Sequence, residues 1–349
     1  MLVASDMKER TKISADTSRT FATMSFVSAC MIVYLHTGQV GPYDSAWVRL
    51  LHEVLNALCR VAIPWFFFAA GFFLARHIGE DGWWKREVLK RIRTLLIPFW
   101  FWGAVIWSVH ILVAFLIKRI GVVYHGTDAM EWLSWGGIVC VAGLDPHGNV
   151  PTMWFIRTLF LFVCLSPLIA KFKRVFVVLS FGAYAVFSAL SHKMGEHGVY
   201  MLEYLISLRG LLYFSLGLIA FDRGRNIAIG GRCFVIFSGV CLLIGNISYP
   251  CCGVFDVLMV PGLLLGVFEL CRYIKLPKDL LSMSFPIYVM HATVAFCCSG
   301  VYSIVLGSHK TDFLFCTIKF VVVLLISILL ARVARSICPN LSKLVYGGR

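Results

Sequence analysis

The chain has 349 residues, 59% of them hydrophobic and only 14% charged, with a mean hydropathy of +0.83 and a formal net charge of +14. It is too apolar for a soluble globule of ordinary composition and reads as a multi-span membrane protein. The charge does not indicate a nucleic-acid binder, because the lysines and arginines are divided among loops instead of sharing one solvated face.

Residues 1–19 are polar and basic, with no apolar core ending in a cleavage site, so they read as a cytoplasmic tail and not a secretory signal. A helix needs about 20 apolar residues to cross the hydrocarbon core. Ten stretches qualify, at 20–40, 54–75, 94–117, 151–170, 175–190, 202–221, 230–248, 253–271, 281–305 and 312–334. They form one transmembrane domain over 20–335, with a cytoplasmic tail at 336–349. With the N-terminus inside, 23 basic residues fall on the cytoplasmic side against five outside, so both termini are expected in the cytoplasm. The expected fold is an all-α, polytopic membrane helix bundle. Most of the 13 cysteines lie within spans and none has zinc-finger spacing, so they read as apolar filler and no metal is expected.

Two interruptions stand out. In residues 76–93, RHIGEDGWWKREVLKRIR, Trp83 and Trp84 suit the membrane interface, and Lys85, Arg86, Lys90, Arg91 and Arg93 follow at helical spacing. This basic amphipathic connector suits anionic lipid headgroups or a phosphorylated cytoplasmic ligand. Residues 118–150 are expected outside, with a middle part apolar enough to lie in the interface or re-enter the protein.

Four basic residues remain within spans: Arg60, Arg157, Arg209 and Lys319. Each costs roughly 2.5–3.5 kcal/mol at a helix centre unless paired or hydrated, which makes each a functional candidate. At 1.5 Å per residue, Arg60, Arg157 and Arg209 lie about 9–10 Å below the outer ends of their spans. His36, which closes the apolar run ACMIVYL, lies about 22 Å from the inner end of the first span, a similar outer depth. His291 falls nearer the midplane, with Ser284 and Tyr288 on its face at i−7 and i−3. Glu53, Glu203 and Asp256 lie near the same layer and offer structural pairing, while Lys319 reads as a snorkeller. A lone intramembrane histidine is more often a hydrogen-bonding group than a catalyst. Two histidines with three arginines supply a base for a hydroxyl proton and cations for a developing oxyanion.

Five stretches in order resemble the membrane-bound acyltransferase-3 family. They are Val33-Tyr34-Leu35-His36, Arg60 through Pro64, Phe66-Phe67-Phe68 and Gly71, Lys90-Arg91 through Pro98, Trp154-Phe155-Ile156-Arg157 through Pro167, and Ser284 through Tyr288 and His291. Two positions depart from the family pattern: Ser25 stands where many members carry a basic residue, and Ala70 where a serine often precedes the second-span glycine. Arg19, about 9 Å from Ser25 along a helix, does not simply replace that basic residue.

The resemblance implies an integral membrane O-acyltransferase of the bacterial cytoplasmic membrane. It would move an acetyl or other short acyl group from acyl-CoA to a carbohydrate or envelope-glycan hydroxyl. On the matching positions, His36 would be the general base, with Arg60 and Arg157 positioning the donor or stabilising the oxyanion. Tyr288, His291 and Ser284 would position the donor or move protons. Arg86, Lys90, Arg91 and Arg93 would meet the CoA phosphates at the cytoplasmic mouth, and Arg209 and Trp154 would lie near the acceptor. The rival reading is a glycan or small-anion transporter, whose pathway would also be lined by arginines and histidines. It predicts matched inverted halves, and none is visible in the sequence.

Overall fold

The computed structural model describes residues 13–38, 44–120, 134, 153–187, 207–223, 252–306 and 313–348, and the regular structure among them is entirely helical. The protein is a polytopic membrane helix bundle. The expected seventh span (230–248), nearly all of the segment 121–150, Glu203 and the side chain of Asp256 lie outside the described residues. The described residues of the other expected spans are mostly helical, with 54–75 and 151–170 each divided into two helices. Among the described residues, five helical stretches are long and apolar enough to cross a membrane: Ala15–Thr37, Ala46–Ala75, Trp83–Val113, Ser284–Val301 and Phe313–Ile337.

Helix α1 (Ala15–Thr37) starts five residues before the expected span, because the Ser14 hydroxyl accepts from the Thr17 amide and caps it. The next crossing is α2 (Ala46–Cys59) followed by α3 (Ala62–Ala75), with a break at Arg60 and Val61. Pro64 explains the break: it offers no N–H to the carbonyl of Arg60, four residues earlier, and its ring crowds that carbonyl. Arg60 therefore sits at a helix joint and not on a continuous face.

The basic connector forms α4 (Trp83–Arg91) and runs through a π turn, Ile92–Leu96, into α5 (Ile97–Ile120). Here Pro98 denies a bond to the Thr94 carbonyl, and the ladder widens so that the Ile97 amide donates to Ile92. A third proline, Pro167, divides α6 (Trp154–Cys164) from α7 (Ser166–Lys171), and the Ser166 hydroxyl donates to the Val163 carbonyl that this proline leaves open (2.6 Å). The rest is α8 (173–187), α9 (Leu208–Arg223), α10 (Cys252–Tyr273), α11 (Lys278–Leu281), α12 (Ser284–Leu306), α13 (Phe313–Ile337) and α14 (Pro339–Val345).

Helix α1 is central and packs on α3, α10, α12 and α13. Its Phe21 is the hub of an aromatic cluster, with ring centroids 4.8 Å from Trp65, 4.7 Å from Phe72 and 5.5 Å from Phe268. Helices α3 and α9 meet at backbone contact. A Cβ on Gly71 would stand 2.1 Å from the Phe214 carbonyl oxygen, and one on Gly217 would stand 2.1 Å from that of Phe68.

One end of the bundle is basic. There Arg332 pairs with Asp279 at 2.6 Å, Arg272 with Glu269 at 3.0 Å, and Lys173 with Asp222, while the Trp84 indole N–H donates to the Cys164 carbonyl at 3.0 Å. At the opposite end the Asp44 carboxylate accepts from the Phe313 amide at 3.0 Å and fixes the start of α13 beside α2. The α1 helix runs from the basic end toward this one and carries His36 in its last turn.

Candidate functional site

The α1 and α12 helices bring His36 and His291 together, with ring centroids 5.1 Å apart and planes inclined at 40°. Residue counting sets His36 toward the outer side and His291 nearer the midplane, and it leaves out the tilt and crossing of helices that bring the two rings side by side. The two rings differ in setting: His36 is exposed, while His291 is fully buried. The Nδ1 of His291 lies 2.6 Å from the Tyr288 carbonyl, which can only accept, so Nδ1 carries the proton. The lone pair of its Nε2 is therefore available, and that atom has no hydrogen-bond partner among the described residues.

One turn back along α12, Tyr288 is buried among Phe66, Phe155 and Phe285, at centroid distances of 6.4, 5.8 and 6.4 Å. Its ring centroid is 6.1 Å from that of His291. On the basic side of Tyr288 opens a cavity of about 490 Å³. Ser284 and Tyr288 form part of its α12 wall; Phe21, Ala22, Phe66, Ala69 and Phe155 make much of the rest apolar; Lys90 and Arg91 line its basic end. Ser284, Tyr288 and His291 thus mark a continuous stripe from the cavity to the histidine pair.

The four expected phosphate-binding residues separate. Only Lys90 and Arg91 line the cavity. Both are anchored by Glu87, at 3.4 and 3.6 Å, a carboxylate only 5% exposed that also lies 3.8 Å from His77. Arg86 pairs instead with Glu80 at 2.6 Å and donates to the Asp81 carbonyl. Arg93 is exposed on the π turn and is not part of the lining.

The intramembrane arginines mark three helix starts or joints: Arg60 at the α2–α3 break, Arg157 in the first turn of α6, and Arg209 in the first turn of α9. All three are partly buried. Phe67 links these regions, since its ring lies 4.7 Å from that of Phe155 and 6.5 Å from that of Trp154, and a Cβ on Gly210 would meet it at 2.7 Å. Lys319 is partly buried on α13.

A family model described as an acyltransferase domain, Acyl_transf_3, matches residues 24–332. The chain belongs to the acyltransferase-3 family. It is also 25% identical, over 241 residues, to the succinoglycan biosynthesis protein ExoH of Rhizobium meliloti (strain 1021). That match covers 63% of this chain and 58% of the relative, so the chain spans little more than half the length of the curated protein it resembles. No solved structure matches. Both departures from the acyltransferase-3 pattern line the cavity. Ser25 donates to the Phe21 carbonyl at 2.8 Å and accepts from the Trp65 indole N–H at 3.1 Å, and Ala70 puts a methyl group, not a hydroxyl, on the cavity wall.

Sequence reasoning missed two groups. His52, buried on α2, accepts from the Asn56 amide at Nε2 (2.8 Å) and lies 3.0 Å through Nδ1 from the Tyr34 hydroxyl, two residues before His36. The His52–Asn56 spacing of i, i+4 was the available signal, but its cross-helix partner on α1 was not. Glu87 was missed because a carboxylate among five basic residues reads as a solvated i, i+4 pair.

Proposed function

We propose that this protein is an integral membrane O-acyltransferase of the bacterial inner membrane that moves a short acyl group, foremost acetyl, from cytoplasmic acyl-CoA to a hydroxyl of a carbohydrate or envelope glycan. The observation that carries the reading is the line from a basic cavity mouth, through apolar walls, to a buried tyrosine and a pair of histidines on the far side. Lys90 and Arg91 suit the phosphates of a CoA ester, and the apolar walls suit the uncharged arm that bears the thioester. The relative's name concerns succinoglycan biosynthesis, which supports a carbohydrate acceptor.

In the proposed reaction His36, accessible beside the His291 ring, takes the proton from the acceptor hydroxyl as its oxygen bonds to the thioester carbonyl carbon. Arg60 and Arg157 offset the negative charge that develops on the carbonyl oxygen. The C–S bond then breaks, and the proton held by His36 goes to the departing sulfur, leaving an acyl ester and a free thiol. The Nε2 lone pair of His291, left available by the Nδ1 bond to the Tyr288 carbonyl, shares that proton, with Tyr288 and Ser284 lining the approach. Arg209 and Trp154 are assigned to the acceptor side.

The test is to incubate membranes holding the protein with labelled acetyl-CoA and carbohydrate acceptors. Label in the glycan supports the reading. Correctly inserted His36→Ala that transfers label as well as the parent would remove His36 as the base.

A further inference from the structure

The segment after α13 folds back onto the bundle. Pro339 starts α14 and turns the chain toward α5. The Trp102 indole N–H donates to the Val345 carbonyl at 3.0 Å inside the protein. The next residue, Tyr346, is only 2% exposed: its ring lies nearly parallel to Trp102 (centroids 6.0 Å apart, 20°), and its hydroxyl donates to the Met290 sulfur at 3.6 Å. Gly347 follows at φ +69°, where a Cβ would lie 2.6 Å from the Thr94 carbonyl oxygen and 3.6 Å from the Phe285 ring.

These three residues join elements that are distant in sequence and that both build the cavity. Thr94 belongs to the π turn, between the cavity residues Arg91 and Leu95; Phe285 is itself in the lining, and Met290 directly precedes His291. A second tie runs alongside: Arg335 donates to the Ser282 hydroxyl at 2.7 Å and to its carbonyl at 3.1 Å, and Ser282 also lines the cavity. The π turn and the start of α12 are thus held at a fixed separation by a wedge between them. A tail serving only as a solvated end would bury neither an aromatic ring nor a glycine against a backbone carbonyl.

We propose that Tyr346 is a positioning residue that sets the width of the cavity at its basic mouth and, through it, the affinity for the acyl donor. The second half of this statement rests on reading the cavity as the donor site. Tyr346 touches no reacting group; it acts through α5, which continues the π turn, and through α12. The stacked ring carries the role, with the hydroxyl secondary, so Tyr346→Phe keeps the wedge and Tyr346→Ala removes it.

The experiment uses the full chain in membranes, with two readouts. The first is steady-state transfer from acetyl-CoA: Tyr346→Ala raises the donor KM about ten-fold and leaves the acceptor KM within two-fold, and Tyr346→Phe restores the parent donor KM. The second needs no donor. In an Ala22→Cys background, with the native cysteines as the control, a membrane-impermeant maleimide added from the basic side labels residue 22 several-fold faster when Tyr346→Ala is present. An inserted Tyr346→Ala with parent donor KM and parent labelling rate overturns the proposal, and so does a fall in kcat alone with both readouts unchanged. If the parent transfers no acetyl group from acetyl-CoA, the donor reading fails, and the labelling rate by itself decides whether Tyr346 sets the mouth.

Discussion

The basic end and the histidine pair treat charge in opposite ways. At the basic end cations meet carboxylates: Glu80 with Arg86, Glu269 with Arg272, Asp279 with Arg332, Asp222 with Lys173. The pairs made by Glu80, Asp279 and Asp222 are between exposed or half-exposed side chains and contribute little energy each. Glu269 and Glu87 are buried, and Glu87 differs again in serving both Lys90 and Arg91, which leaves the cavity mouth with an excess of positive charge. The two histidines have no carboxylate within ion-pair reach among the described residues, and the one hydrogen bond that orients His291 comes from a neutral carbonyl. The basic end holds charges matched to opposite charges, whereas the histidine pair holds none.

The sharpest way to break this contrast is His36→Ala. If the interior pair moves the proton, transfer falls by about 10²–10⁴-fold in a correctly inserted variant, measured as labelled glycan per unit of protein. Next in size is Gly217→Ala, whose new Cβ would stand 2.1 Å from a backbone oxygen and would force α3 and α9 apart. Overpacking of this kind costs about 1–3 kcal/mol, read as a lower thermal midpoint in detergent. At the mouth, Lys90→Ala with Arg91→Ala raises the donor KM about ten-fold while kcat stays within about two-fold, because the lost contacts are charge-assisted bonds remote from the reacting atoms. His52→Phe breaks the link from α2 to the end of α1 and lowers kcat by about three- to ten-fold with the donor KM unchanged. Smallest is Arg86→Ala or Arg93→Ala, with donor KM within about two-fold of the parent; a shift as large as that of Lys90 and Arg91 would erase the distinction between paired and cavity-facing cations.

The helices were legible because lipid imposes a length and an apolar composition that a window of residues reports directly. His36 and His291 could each be named from their apolar surroundings, and the Ser284, Tyr288, His291 stripe from helical spacing. Their adjacency could not, since helix tilt and crossing are decided by packing partners that the sequence does not pair. The same limit explains the basic connector: five cations at helical spacing look equivalent until Glu80 and Glu87 separate them. Residues 336–349 read as a tail because the segment, broken by Pro339 and ending Gly347-Gly348-Arg349, is too short to span the hydrocarbon core. What buries Tyr346 is the open space between Trp102 and Met290, contributed by helices more than fifty residues upstream.

The backbone contact between α3 and α9 bears on how the protein can move. Two helices locked through Gly71 and Gly217, each against a carbonyl of the other, cannot slide or rotate past one another without a steric clash. They form a stator. Any breathing that admits a donor or releases a product is left to the other side of the cavity, to α4 and the π turn that follows it, where a proline has already loosened the helical ladder and the ties from Tyr346, Gly347 and Arg335 limit how far that turn parts from α12.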